Sequence, residues 1–335
     1  MKKILIIGPA WVGDMVMSQS LYIVLKQRHP DSQIYVIAPG WCKPILERMP
    51  EIHQAIEMPI GHGEFNLLGR REIGKSLREK QYDHAYILPK SAKSALIPWF
   101  ANIPLRTGWK GEMRYGLLND LRPNMKSFQY MVERYVALAY PKAEMVDSNS
   151  LGGLETLPRP RLAINAAEQQ ATLKKFNLTQ DQPIIGLCPG AEFGPAKKWP
   201  ETHYAEVATQ MARSGHQIWL FGSQKDLETC NNIRALVPTQ FHENIHVLAG
   251  QTSLIEAVDL LAACKAVRLV PSPTGTLTSA SLRKRYLQMS KCPAFAAPTR
   301  GVTPMSGSAR LTSALACRSS AFSGHVSQVL CRRLI

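Results

Sequence analysis

Ile4-Leu5-Ile6-Ile7-Gly8-Pro9-Ala10-Trp11-Val12-Gly13-Asp14 opens the chain with a short branched apolar run that enters a turn and then a helix-patterned stretch reaching about Arg28. The order repeats at once in Ile34-Tyr35-Val36-Ile37, a helical segment over residues 42–49, and Ala55-Ile56-Glu57-Met58. Strands alternating with helices predict a parallel sheet covered on both faces, since the helical crossovers pack against the sheet they connect. The alternation continues through a polar helix over residues 66–80, the strand His84-Ala85-Tyr86-Ile87-Leu88, a helix over 94–100 and a long helix over 128–140.

Periodicity fails over residues 141–162, where Asp147-Ser148-Asn149-Ser150-Leu151-Gly152-Gly153 and Pro158-Arg159-Pro160 have linker composition. A domain boundary is expected there, with a first domain over 1–150. Alternation resumes with strands at 183–188, 217–221 and 245–248 and helices at 201–213, 226–236 and 253–264, which predicts a second α/β domain of the same type. Two such domains suit 335 residues that are 45% apolar and 7% aromatic.

The seven cysteines are widely spaced, with no C-x-x-C and no Cys/His grouping, which argues against a disulfide framework or a structural zinc. No apolar run reaches the roughly 18–20 residues of a spanning helix, and a soluble cytoplasmic protein is expected. The formal charge of +15 is unevenly placed. Residues 266–335 hold ten Lys and Arg and no Asp or Glu, leaving +5 for residues 1–265, so a nucleic-acid-coating surface is not expected.

Four segments carry candidate chemistry. Gly8 to Asp14 follows the first strand, and ligands of open parallel sheets bind beyond the carboxyl ends of the strands. It is not G-x-G-x-x-G, which disfavours a nicotinamide oxidoreductase. Asp14 there is either a proton acceptor for a substrate hydroxyl or an N-capping aspartate. Cys188-Pro189-Gly190-Ala191-Glu192-Phe193-Gly194-Pro195-Ala196-Lys197-Lys198-Trp199-Pro200 is a Gly/Pro-rich loop entering a helix with paired lysines, suited to a diphosphate or else merely solvated. Phe221-Gly222-Ser223-Gln224-Lys225-Asp226 places Gly222 for close backbone approach and Asp226 for ribose hydroxyls. Arg106-Thr107-Gly108-Trp109-Lys110-Gly111 with Arg114 gathers cations around a tryptophan, as an anionic sugar acceptor would need, or is an ordinary basic loop. His62 and His84 form no recognisable pair.

Taken in order, Gly8 to Met15 with Ser18-Gln19-Ser20-Leu21, Arg106-Thr107-Gly108-Trp109, Arg114-Tyr115-Gly116-Leu117-Leu118-Asn119-Asp120 and Pro189 to Pro200 closely resemble the ADP-heptose:lipopolysaccharide heptosyltransferase II family over about residues 1–267. The resemblance implies an α/β GT-B fold, two Rossmann-like domains facing each other across a cleft. An acceptor domain would cover 1–150, and a truncated donor domain 151–267. It implies an inverting, metal-independent transfer without a cofactor, from ADP-heptose to heptosylated Kdo-lipid A, by a protein peripheral to the cytoplasmic face of the inner membrane. Residue by residue, it makes Asp14 the general base and Lys197 the partner of the donor diphosphate. Gly190, Ala191, Glu192, Gly194, Gly222, Asp226 and Thr252 fall in the donor set; Trp11, Gly13, Arg106, Trp109 and Arg114 fall in the acceptor set. Lys90 stands where the family carries Asn.

After Ala263-Cys264-Lys265-Ala266-Val267 the family continues into Asp-Ser-Gly-x-x-His, whereas this chain reads Arg268-Leu269-Val270-Pro271-Ser272-Pro273-Thr274-Gly275. Residues 268–335 form an aberrant basic tail. The acid-free stretch 266–335, with eleven serines, reads as a coding region translated out of frame, the alternatives being a natural basic tail or an inactive product that keeps only its acceptor domain.

Overall fold

The computed structural model describes residues 1–61, 63–190 and 198–269, with residues 268 and 269 described by their backbone alone. The first sheet takes β1 (Lys3–Ile7), β2 (Gln33–Ala38), β3 (Ile52–Glu57), β4 (His84–Ile87), β5 (Leu105–Trp109) and β6 (Asp120–Arg122). They lie in the order β3-β2-β1-β4-β5-β6, with every pairing parallel. The helices are α1 (Val12–Arg28), α2 (Lys43–Glu47), α3 (Leu67–Ser76), α4 (Ala92–Phe100), α5 (Met131–Val136) and α6 (Ala166–Lys175). Strand order reverses between β1 and β4, so the loop from Gly8 to Trp11 sits at a topological switch point, the place where such sheets bind ligands.

The apolar run of β1 is fully buried from Ile4 to Ile6, as a strand flanked by two parallel neighbours must be. Helix α1 packs closely behind it because position 8 has no side chain. A Cβ there would come within 2.8 Å of Met15 Cε and 3.2 Å of the Ile37 carbonyl oxygen.

Two expectations change in this half. Residues 105–109 and 120–122 are strands, so Arg106 and Trp109 of the cation cluster belong to the sheet, while Lys110 and Arg114 lie in the loop that follows β5. The helix expected over 128–140 is reduced to α5 and one 3-10 turn, Ala137–Ala139. Its start is set by Glu133, whose carboxylate accepts from the Tyr130 N–H at 2.9 Å. Its end follows from Pro141, which disfavours helical backbone at Tyr140; that residue is extended (φ −105°, ψ 160°).

The second sheet holds β7 (Ile184–Cys188), β8 (Gln217–Leu220), β9 (Ile245–Val247) and β10 (Ala266–Leu269) in the parallel order β10-β7-β8-β9. Helices α7 (Glu201–Arg213), α8 (Leu227–Leu236) and α9 (Leu254–Ala263) accompany it in sequence. Its core packs Leu187, Tyr204, Ala208, Ile218, Leu220 and Ile233 together. Counted within this unit, the order is 3-2-1-4, matching the first four strands of the first sheet, with the switch point between β7 and β10. Strand β10 runs to Leu269, two residues past the boundary expected at 267. Residues 270–335, and with them the comparison over 271–275 and the reading-frame expectation, lie outside the described residues.

Among the described residues the chain forms two compact units: Met1–Phe176 with Ser253–Ala262, and Asn177–Thr252 with residues 263–269. The expected break at 150 therefore falls inside the first unit, for a reason invisible in composition. The proline-containing stretch after Leu157 is hydrogen-bonded along that unit, with Arg161 N–H donating to Gln19 Oε1 at 2.8 Å and Ala163 N–H to the Arg48 carbonyl at 2.7 Å. Helix α6 is then fastened to α9. Lys175 Nζ meets Glu256 at 2.6 Å, and Arg48 bridges Glu168 (2.6 Å) and the fully buried Asp259 (3.0 Å).

Candidate active site

The cap position of α1 is Trp11, with no side-chain capping bond, so Asp14 lies in the first helical turn and does not cap it. Among the described residues no hydrogen bond or ion pair engages the Asp14 carboxylate. The positive end of the helix favours its ionised form, yet burial prevails and holds its pKa above the ordinary carboxylate value. A half-buried, unpaired carboxylate with raised proton affinity, beside a switch point, is equipped to accept a proton. Chain continuity brings Trp11, which is half exposed, and the buried Gly13 to the same turn.

Three strand ends gather the donor-side candidates of the second unit. Asp226 Oδ2 accepts from the Ser223 N–H (2.9 Å) and hydroxyl (2.8 Å). A Cβ on Gly222 would lie 2.6 Å from Asp226 Cβ, and one on Gly190 would fall on the Asp226 carboxyl group. These glycines thus make room for Asp226, and the carboxylate expected to hold ribose is engaged in closing its own turn. The Gly250 N–H donates to the Gly222 carbonyl at 3.0 Å, tying in the loop that leads to Thr252. Ala191, Glu192, Gly194 and Lys197 lie outside the described residues, as does His62. Beyond them Trp199 meets Tyr204 edge-on, with ring centroids 5.2 Å apart.

The expected acceptor cations have structural engagements that the sequence did not suggest. Arg106 lies near the start of β5, its Nε donating to the Leu117 carbonyl and Nη1 to that of Ile103, both at 2.6 Å. Three residues short of the carboxyl end of its strand, it fastens the segment 103–119. Trp109 is buried, its indole donating to the Arg134 carbonyl at 2.9 Å and its ring packing 5.4 Å from Phe128. Arg114 is 1% exposed. It donates to the carbonyls of Pro89 (2.7 Å) and Trp109, linking the ends of β4 and β5. Burial pulls its guanidinium pKa down to about 10 against the opposing charge of Glu112. His84 is a neutral strand residue bonded at 2.8 Å to the Thr107 hydroxyl, its pKa depressed by burial to about 3.

Trp41 was missed. It is 54% exposed at the carboxyl end of β2, and its indole N–H donates to the Ala10 carbonyl at 2.9 Å. The signal was available: Pro39-Gly40-Trp41 after β2 parallels Pro9-Ala10-Trp11 after β1. Among the described residues no three or more His, Cys, Asp and Glu side chains form a metal-holding group, and no helix is long and apolar enough to cross a membrane.

Comparison with known proteins places these loops in a lineage. A profile of glycosyltransferase family 9 (heptosyltransferase) matches residues 70–272. Lipopolysaccharide heptosyltransferase 2 of Escherichia coli K12 is 52% identical over 286 residues, covering 85% of this chain and 81% of that protein. The solved structure of E. coli ADP-heptose lps heptosyltransferase II superposes with a TM-score of 0.71 at 53% identity, over 80% of this chain and 78% of that one. An E. coli heptosyltransferase, WaaC, solved with ADP-2-deoxy-2-fluoro heptose, matches in fold, with a TM-score of 0.58 at 21% identity over 79% and 81% of the two chains.

Proposed function

Since this chain belongs to glycosyltransferase family 9, the heptosyltransferases, we propose that it moves heptose from ADP-heptose onto the first heptose of the Kdo-lipid A inner core, in lipopolysaccharide core biosynthesis. The nicotinamide oxidoreductase reading is not favoured by this membership. The observation that carries the mechanism is Asp14, a carboxylate of raised proton affinity with no bond to it among the described residues.

In the proposed step Asp14 takes the proton of the acceptor hydroxyl as that oxygen attacks the anomeric carbon. The bond from that carbon to the ADP oxygen breaks on the opposite face, so configuration inverts. The electron pair leaves with the diphosphate, whose charge Lys197 and the N–H groups of its loop would stabilise; one such donor is worth roughly 3–4 kcal/mol in a dry site. No metal enters this step. Gly190, Gly222, Asp226 and Thr252 would shape the donor side at the carboxyl edge of the second sheet. The acceptor is a lipid, so the chain would work in peripheral contact with the cytoplasmic face of the inner membrane.

The test is Asp14→Asn, assayed in a chain whose reading frame is restored beyond residue 267 so that the family's Asp-Ser-Gly-x-x-His is present. Turnover should fall by about two to four orders of magnitude, as general-base loss does, with ADP-heptose binding retained. Unchanged turnover would remove Asp14 from the mechanism. The unrestored chain assayed beside it shows what the altered segment costs.

A further inference from the structure

Trp41 joins the loop that carries Asp14 to the surface beside it. Its indole N–H holds the Ala10 carbonyl at 2.9 Å, and the buried Cys42 thiol approaches the same oxygen at 3.5 Å. Ala10 is followed by Trp11, the cap position of α1, three positions before Asp14. Yet Trp41 remains 54% exposed and Trp11 48% exposed, both at the carboxyl ends of adjacent strands. A large aromatic surface held rigid by its polar atom and left open to water is the form a ring-binding anchor takes, since covering it costs little conformational entropy.

We propose that Trp41 is a positioning residue for the Asp14 loop and, with Trp11, the aromatic floor on which a sugar ring of the acceptor lies. The indole N–H fixes Ala10, and through it the entry into α1. The two open faces meet the C–H side of a pyranose while its hydroxyls point toward Asp14. The inference rests on the reading of Asp14 as the base.

The experiment uses the full chain, with ADP and a de-O-acylated lipopolysaccharide precursor bearing one heptose as probes. By calorimetry Trp41→Ala should weaken precursor binding about tenfold or more, the effect of losing an aromatic anchor, with ADP affinity unchanged. Trp41→Phe keeps a face but loses the N–H. It should bind the precursor within about threefold of wild type and show faster amide exchange over residues 10–14. Trp99→Ala, which removes a half-exposed tryptophan elsewhere, should change neither. Wild-type precursor affinity in Trp41→Ala, equal losses in Trp99→Ala, or unaltered exchange in Trp41→Phe would overturn the proposal. A wild-type chain that binds no precursor would overturn it together with the acceptor reading of this edge. In the frame-restored chain, normal turnover by Asp14→Asn with the Trp41 effects intact would sink the base assignment alone.

Discussion

Replacing Arg48 by Ala should be among the most damaging single changes in the first unit, and the structure says why. Arg48 is 8% exposed and reaches two carboxylates. The Glu168 side of the bridge is more than half exposed, so its loss should cost less than about 1 kcal/mol. Asp259 differs, being fully buried, with Oδ1 unpartnered and burial already pushing its pKa up against the pull of Arg48. Without the guanidinium it must stay charged and unpaired or take up a proton, and breaking such a pair costs about 3–5 kcal/mol. At about 2–4 °C per kcal/mol for a unit of this size, the Tm of the first unit should fall by roughly 6–20 °C. Urea unfolding at pH 7 and pH 4.5 provides the assay. A folded-state pKa above the unfolded one means that the charged form burdens the native state, so acidification should relieve the variant more than the wild type and narrow the gap. Arg48→Ala with Asp259→Leu, which removes the stranded charge, should recover most of the loss. A single variant within about 1 kcal/mol of wild type, or a double variant no better than the single, would show that water reaches Asp259 and that the buried-charge argument is wrong.

Lys197→Ala should weaken ADP-heptose by calorimetry and leave adenosine nearly untouched, since only the former carries the diphosphate; equal losses would make the lysine structural. Gly190→Ala puts a methyl group on the Asp226 carboxyl and should destabilise by about 1–3 kcal/mol, in part recovered by Asp226→Ala, as thermal melts would report. His84, with its pKa held near 3, refuses a proton that the unfolded chain accepts near pH 6.5. Stability should therefore fall as pH drops below about 6.5 toward 3, and urea midpoints at pH 7.5 and 5 should show this slope diminished in His84→Gln.

The sheet-forming runs were legible because parallel strands buried on both faces must be apolar throughout, as Ile4 to Ile7 and Ile34 to Ile37 are. Strand β5 was not, because Leu-Arg-Thr-Gly-Trp hides its burial in pairings between polar groups. Thr107 is fully buried, bonded to His84 on one side and donating to Asp120 on the other, each at 2.8 Å. The Asp14 turn could be found from its place after a strand, but whether Asp14 caps depends on which residue begins the helix, a matter of one turn of backbone. Arg114 and Trp109 read as an acceptor surface because charge and aromaticity are visible in a sequence and burial is not. The unit boundary was misplaced for a similar reason: linker composition says where periodicity ends, and cannot say that Gln19 and Arg48 hold the linker down.

The return of α9 to the first unit also sets an order of events during synthesis. Arg48 and Asp259 are 211 residues apart, so at about 5–20 residues per second the ribosome needs roughly 10–40 s to supply the partner after Arg48 has been made. Until then Arg48 has only Glu168 of α6 as an ionic partner, and the flank that α9 covers stays open while the whole of the strand set from β7 to β9 is translated. The first unit, though earlier in the chain, closes only after most of the second has been made.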